Sequence, residues 1–211
     1  VGLQPDSPPE PPPEPPPSTV SPQARAFLSQ RMPPDHPFPH GLDDAIEAWR
    51  RVLERFKPGK LAVAGGSAGG GLAGSCVLKA RDIGLPLPGA VVLATPEADL
   101  TESGDSFETN IHVEVVLTQR LTDSIALYAD EHDLTDPYLS PLIGDFDKGF
   151  PPTFLNCGTR DAFLSNTVLL HRKLRRAGVA AELHVWEAMP PRRLLRRAGG
   201  YRGDRGTGAL H

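Results

Sequence analysis

The chain's order of apolar and amphipathic segments predicts an α/β fold built on a parallel sheet. Apolar runs of strand length at Lys60–Ala64, Gly89–Ala94, Thr153–Cys157 and Ala181–Trp186 alternate with segments of helical periodicity. The runs are nearly continuous rather than alternating with polar residues, as expected of strands buried on both faces. A glycine-rich turn joins the first run directly to a helix, giving strand, tight turn, helix. Helices are therefore expected on both sides of the sheet.

Taken in order, the chain opens on a dense proline tract between Pro5 and Pro17 with a repeating Pro-Pro-Glu pattern. Such a tract favours extended polyproline II and offers no apolar anchors, so residues 1–20 are expected to form a disordered tail. A proline-recognising partner is the alternative use of the tract. Ser21-Pro22 before Gln23–Ser29 reads as a helix start, with proline in the first turn. Leu42, Ile46, Trp49, Val52, Leu53 and Phe56 recur at helical spacing, and Pro58-Gly59 ends that helix. Further helices are expected at Ala68–Arg81, Leu117–Tyr128 and Asn166–Ala177.

Composition narrows the function. The chain has 211 residues, 39% of them apolar, and a formal net charge of −4, which suits one globular domain and argues against a broad nucleic-acid surface. Arg192–Arg205 is only locally basic. Cys76 and Cys157 stand far apart, without metal-ligand spacing or a disulfide framework, so a reducing, cytoplasmic setting is expected. No apolar run reaches the roughly 18 residues that span a bilayer, and no leader pattern is present, so neither a membrane nor secretion is expected.

Gly65-Gly66-Ser67-Ala68-Gly69 fits the G-x-S-x-G nucleophile elbow. A serine on a tight strand-to-helix turn can project its hydroxyl from the sheet only if its neighbours are small. Gly65, Ala68, Gly69, Gly70 and Gly71 meet that demand, and the following helix aims its N-terminus at the site. A structural glycine-rich turn is the alternative, and the position between strand and helix favours the catalytic reading.

Several segments resemble the bacterial esterases and lactone hydrolases related to hormone-sensitive lipase. Arg31-Met32-Pro33-Pro34-Asp35-His36-Pro37-Phe38-Pro39 with Leu42-Asp43-Asp44-Ala45 is similar to that family's block upstream of the nucleophile. The elbow Gly66-Ser67-Ala68-Gly69-Gly70 departs from it only at Gly66, where an aspartate is more usual. Pro96, Ala98-Asp99-Leu100-Thr101 and Asp136-Pro137-Tyr138-Leu139-Ser140-Pro141-Leu142 also match family loops, so the resemblance runs from about Arg31 to Pro190.

The resemblance implies a partial α/β-hydrolase fold over 21–190, with 191–211 a non-family, disordered tail. It implies Ser67 as nucleophile, Asp161 in Gly158-Thr159-Arg160-Asp161 as the acid that orients a histidine, and the Ala68 amide as an oxyanion donor. It implies a small-molecule ester or lactone substrate and no metal or organic cofactor. The family's histidine belongs in a Met-Pro-His-Gly loop after the last strand, where this chain reads Met189-Pro190-Pro191. His36 reads as loop support, His184 as a strand residue, and His211 has no motif around it. With suitable codons, reading Pro191–Arg196 one base later admits His-Gly-Gly-Phe-Phe, so a one-base insertion near codon 191 is expected. The family's early strands and His-Gly-Gly oxyanion loop have no counterpart before Arg31, which points to a deletion between about Gln30 and Arg31. These departures imply impaired hydrolysis and an exposed sheet edge at Leu61–Ala64 through which copies associate. A noncatalytic fragment and a proline-rich interaction module are the competing readings.

Overall fold

The computed structural model describes residues 28–189. The proline tract, most of the expected Gln23–Ser29 helix, the altered tail and His211 lie outside them. Leu28 and Ser29, which are described, are not helical.

Four parallel strands form one sheet in the order β1 (Ala62–Ser67), β2 (Ala90–Pro96), β3 (Thr153–Gly158) and β4 (Ala181–Trp186). The helices are α1 (His40–Leu53), α2 (Ala68–Asp82), α3 (Ser106–Thr109), α4 (Thr122–Ala129) and α5 (Leu164–Arg176). β4 has the boundaries expected from its apolar run. β1 runs three residues further than expected, because Gly65 and Gly66 keep backbone pairing with Leu93 and Ala94. Glycine lacks a side chain to pack, but it does not remove the ladder's donors and acceptors.

Helix α4 starts at Thr122, five residues later than the pattern suggests. Upstream, Glu114 Oε1 accepts the amides of Val115 and Val116, and Glu102 Oε1 accepts the Leu121 amide at 2.9 Å. Glu102 thus takes the Leu121 amide, which a helix begun at Leu117 would have bonded to the Leu117 carbonyl, while the Glu114 bonds lie just before the expected helix.

The sheet differs from the expectation that helices cover both of its faces. The in-register row Gly65, Leu93, Leu155 and Leu183 lies on one face, and Leu93 and Leu155 are fully buried there. Val77 and Leu78 of α2 and Leu170 and Leu174 of α5 share that core. α1 then packs on α2 through Leu42, Ile46, Trp49, Cys76 and Ala80. The next row, Ala64, Val92, Phe154 and Glu182, has no helix over it among the described residues. Strand order supplies the reason. Right-handed crossovers that advance in one direction put every connecting helix on the same side, and a second covered face requires the order to reverse. Apolar runs reveal burial but not the direction of winding.

Candidate active site

Ser67 ends β1 and directly precedes α2, with φ 56° and ψ −129°. This left-handed conformation is costly for a residue with a Cβ, about 1–3 kcal/mol, and is held in place by its surroundings. Two glycines allow the close packing. A Cβ on Gly65 would lie 2.0 Å from the Gly69 carbonyl oxygen, and one on Gly71 would lie 2.2 Å from that of Glu97. The Ser67 side chain does not cap α2. Its hydroxyl is therefore not used to satisfy the helix end, and Ser67 and Ala68 both line a cavity of about 450 Å³. The Ala68 amide, at the first position of α2, has no acceptor within the helix.

The cavity walls are mostly apolar and include Leu72, Leu100, Leu121 and Ile125, with Tyr128 and Tyr138 contributing rings. Met32 and Pro33, from the block before α1, also line it. His36 does not; its ring lies against that of His40, with centroids 5.4 Å apart, in keeping with a loop-supporting role.

Asp161 follows β3 and is completely buried. Its Oδ2 accepts from the Thr95 hydroxyl at 2.5 Å, and its Oδ1 accepts from the Phe163 amide at 2.8 Å. Burial raises its carboxyl to about 6, although the Thr95 hydroxyl and the Phe163 amide favour the ionised form and draw it back down. Asn110 steadies the loop by donating to the carbonyls of Thr159 and Asp161. β2 links the two expected catalytic residues. Pro96 is the register partner of Ser67, while the preceding Thr95 binds Asp161. The structure thus brings Ser67, Ala68 and Asp161 to the same end of the sheet.

No histidine is among the hydrogen-bond partners of the Asp161 carboxylate within the described residues. His184 lies on the open sheet face, where its Nε2 is 2.6 Å from Glu182 Oε1, as its reading as a strand residue implies. After β4 the backbone turns back toward the Asp161 loop. The Ala188 amide donates to the Thr159 hydroxyl, and the Met189 carbonyl packs so closely on Gly158 that a Cβ there would lie 1.6 Å from it.

Sequence reasoning missed Thr95, Glu97 and Asn110. Thr95 adopts φ 46°, unusual for a β-branched residue, and lies just before Pro96. Its position before a strand-terminal proline was the available signal. Glu97 and Asn110 had none, because their roles depend on contacts between segments far apart in sequence.

The chain belongs to a family described as having the alpha/beta hydrolase fold, whose sequence pattern matches residues 27–191. It is 35% identical to an acetyl-hydrolase of Streptomyces hygroscopicus over 77% of this chain and 54% of that protein. It is 31% identical to carboxylesterase NlhH of Mycobacterium tuberculosis over 74% of this chain and 52% of that protein. An esterase from the bacterial hormone-sensitive lipase family superposes with a TM-score of 0.74 at 35% identity, covering 78% of this chain and 56% of its own. An esterase/lipase from an uncultured bacterium gives 0.75 at 34% identity, covering 78% and 56%. The chain spans about half the length of these relatives. Among the described residues, no helix is long and apolar enough to cross a membrane.

Proposed function

We propose that this chain carries the nucleophile and acid half of a carboxylic-ester or lactone hydrolase. Ser67 is the nucleophile, Asp161 orients and stabilises the catalytic imidazole, and the Ala68 amide receives the developing oxyanion. The observation that carries this reading is the strained Ser67 turn opening onto an apolar cavity, with the buried Asp161 held at the same sheet end by Thr95. An ester's carbonyl would sit at the cavity mouth, with its apolar portions along the leucine-lined wall.

The base belongs in the segment directly after Met189. Support comes from the path of the chain, since Met189 packs over Gly158, three residues before Asp161. Prolines at 190 and 191 cannot accept the serine proton. Turnover by this sequence is accordingly proposed to be weak, because triad members act together and loss of one removes most of the rate enhancement. A frame change near codon 191 and a deletion near Gln30–Arg31 are part of the same reading.

The surroundings of this chemistry are also proposals. β1 pairs only with β2 among the described residues, which supports self-association through that edge. Cytoplasmic operation is supported by Cys76 and Cys157, which are free and buried thiols. Residues 1–20 and 191–211 are read as segments separate from the catalytic domain.

Active-site labelling tests the nucleophile without requiring turnover of an ester. In a Pro191→His, Arg192→Gly variant, which supplies a base after Met189, an alkyl fluorophosphonate should lose fluoride and add one phosphonyl group to Ser67. Ser67→Ala in that background should abolish the mass shift, and the unaltered chain should label far more slowly. Labelling at another residue, or unchanged labelling of Ser67→Ala, would contradict the assignment.

A further inference from the structure

Glu97 lies beside the nucleophile, and nothing in the proposed hydrolysis uses it. It follows β2, its amide donates to the Ser67 carbonyl at 3.0 Å, and its own carbonyl fills the space left by Gly71. The residue is thus fixed between the serine turn and α2. It is only 9% exposed, and it is the single charged residue among the described residues lining the cavity.

Among the described residues, no side chain or amide hydrogen-bonds the Glu97 carboxyl. Burial and the neighbouring negative charge of Glu102 therefore raise it to about 7. Nearby positive charge is already engaged. Arg120 pairs with Glu108 and Glu102, while Glu102 also accepts the Leu121 amide. Tyr128 shares the cavity with Glu97; burial raises its phenol, and the Glu97 charge adds to that.

A buried carboxylate without a partner is costly, and a bound cation relieves that cost. An aromatic ring lining the same cavity adds a second attraction for positive charge. We propose that Glu97 makes the cavity selective for esters that carry a protonated amine, with Tyr128 contributing its ring to the same ammonium subsite. This specificity rests on the cavity being the ester site. Neutral alkyl esters would still fit the leucine-lined wall, whereas anionic substrates would face like-charge repulsion.

The test measures binding rather than turnover. Butylammonium, 1-butanol and butyrate have similar apolar chains and differ in charge, so each is titrated into the full chain at pH 8 in 0.15 M salt and followed by NMR. Butylammonium should bind at least about tenfold more tightly than 1-butanol, as expected when a charge-assisted contact replaces a neutral one. Butyrate should bind most weakly. Glu97→Gln should bring the amine and alcohol within about twofold of each other, and Tyr128→Leu should lower amine affinity severalfold while keeping the order. Ser67→Ala should keep the full preference, so a failure of hydrolysis leaves this inference intact. A tenfold amine preference that survives Glu97→Gln overturns it, as does equal binding of amine and alcohol by the unaltered chain. Ser67-dependent hydrolysis without amine preference would remove the ammonium subsite and leave the esterase reading standing.

Discussion

The Thr95 hydroxyl donates to Asp161 Oδ2 at 2.5 Å, with both residues completely buried. This bond ties the end of β2 to the carboxylate after β3 and joins the proposed acid, Asp161, to the strand that pairs with Ser67. Because Thr95 stabilises the charged carboxylate, its loss should matter most when Asp161 is ionised. Thr95→Val should cost about 1–3 kcal/mol at pH 8 and less at pH 5, with the Asp161 carboxyl moving further upward. Thr95→Ser should retain most of the stability. Urea unfolding at the two pH values provides the check, and an equal loss at both would show that packing, rather than the hydrogen bond, dominates.

Two buried carboxyls should make the fold less stable as pH rises. Asp161 is raised to about 6 from a reference of 3.8, and Glu97 to about 7 from 4.5, chiefly by burial. Between each reference value and its raised value, the folded state binds more protons than the unfolded state. Their contribution is thus most favourable below about pH 4 and is lost as pH climbs through about 6 and 7. Glu97→Gln should flatten the upper part of this dependence, recovering on the order of 3 kcal/mol at most at pH 8. Unfolding midpoints from pH 5 to pH 8 test the sign, and a Glu97→Gln profile parallel to the unaltered chain would contradict it.

The glycines around Ser67 should differ sharply in tolerance. Gly65→Ala and Gly71→Ala put a Cβ 2.0 and 2.2 Å from backbone oxygens, whereas a Cβ on Gly69 meets nothing within 4 Å. The first two should cost about 1–3 kcal/mol or more through forced backbone movement. Gly69→Ala should be neutral or stabilise by up to about 1 kcal/mol through helix propensity. Thermal unfolding of the three variants separates these outcomes, and comparable effects at all three would show that the elbow can relax.

The β1 edge should promote association at high protein concentration. Ala62 and Ala64 are exposed on a strand whose only strand partner among the described residues is β2. Lysine at such an edge opposes strand addition. Light scattering after size exclusion should show mass increasing with concentration, and Ala64→Lys should suppress the increase. A concentration-independent monomer mass for the unaltered chain would contradict the prediction.

The local patterns revealed much of this architecture. The Ala181–Trp186 run matches β4, the Gly65–Gly69 motif marks the join between β1 and α2, and resemblance identified Asp161 as a candidate residue. The one-sided helix layer of the described residues was hidden because an apolar run shows that a strand is buried without showing which way the chain winds. Thr95, Asn110 and Glu97 were hidden for another reason. Each acts across tens of residues, as when Thr95 meets Asp161, so beyond the position of Thr95 before Pro96 no spacing or propensity singles them out. The late start of α4 likewise reflects Glu102 taking up the Leu121 amide in a segment whose apolar spacing suits a helix.

Ser67 and Asp161 are proposed to form a hydrolase site that lacks a base at the position after Met189. The direct measurement is p-nitrophenyl acetate turnover by the unaltered chain, by Pro191→His with Arg192→Gly, and by that double variant carrying Ser67→Ala. A positioned general base typically contributes about 10²–10⁴-fold, so the double variant should exceed the unaltered chain by at least tenfold. Adding Ser67→Ala should return the rate to background. Substantial Ser67-dependent turnover by the unaltered chain, with no gain from histidine at 191, would contradict the account and place the base elsewhere.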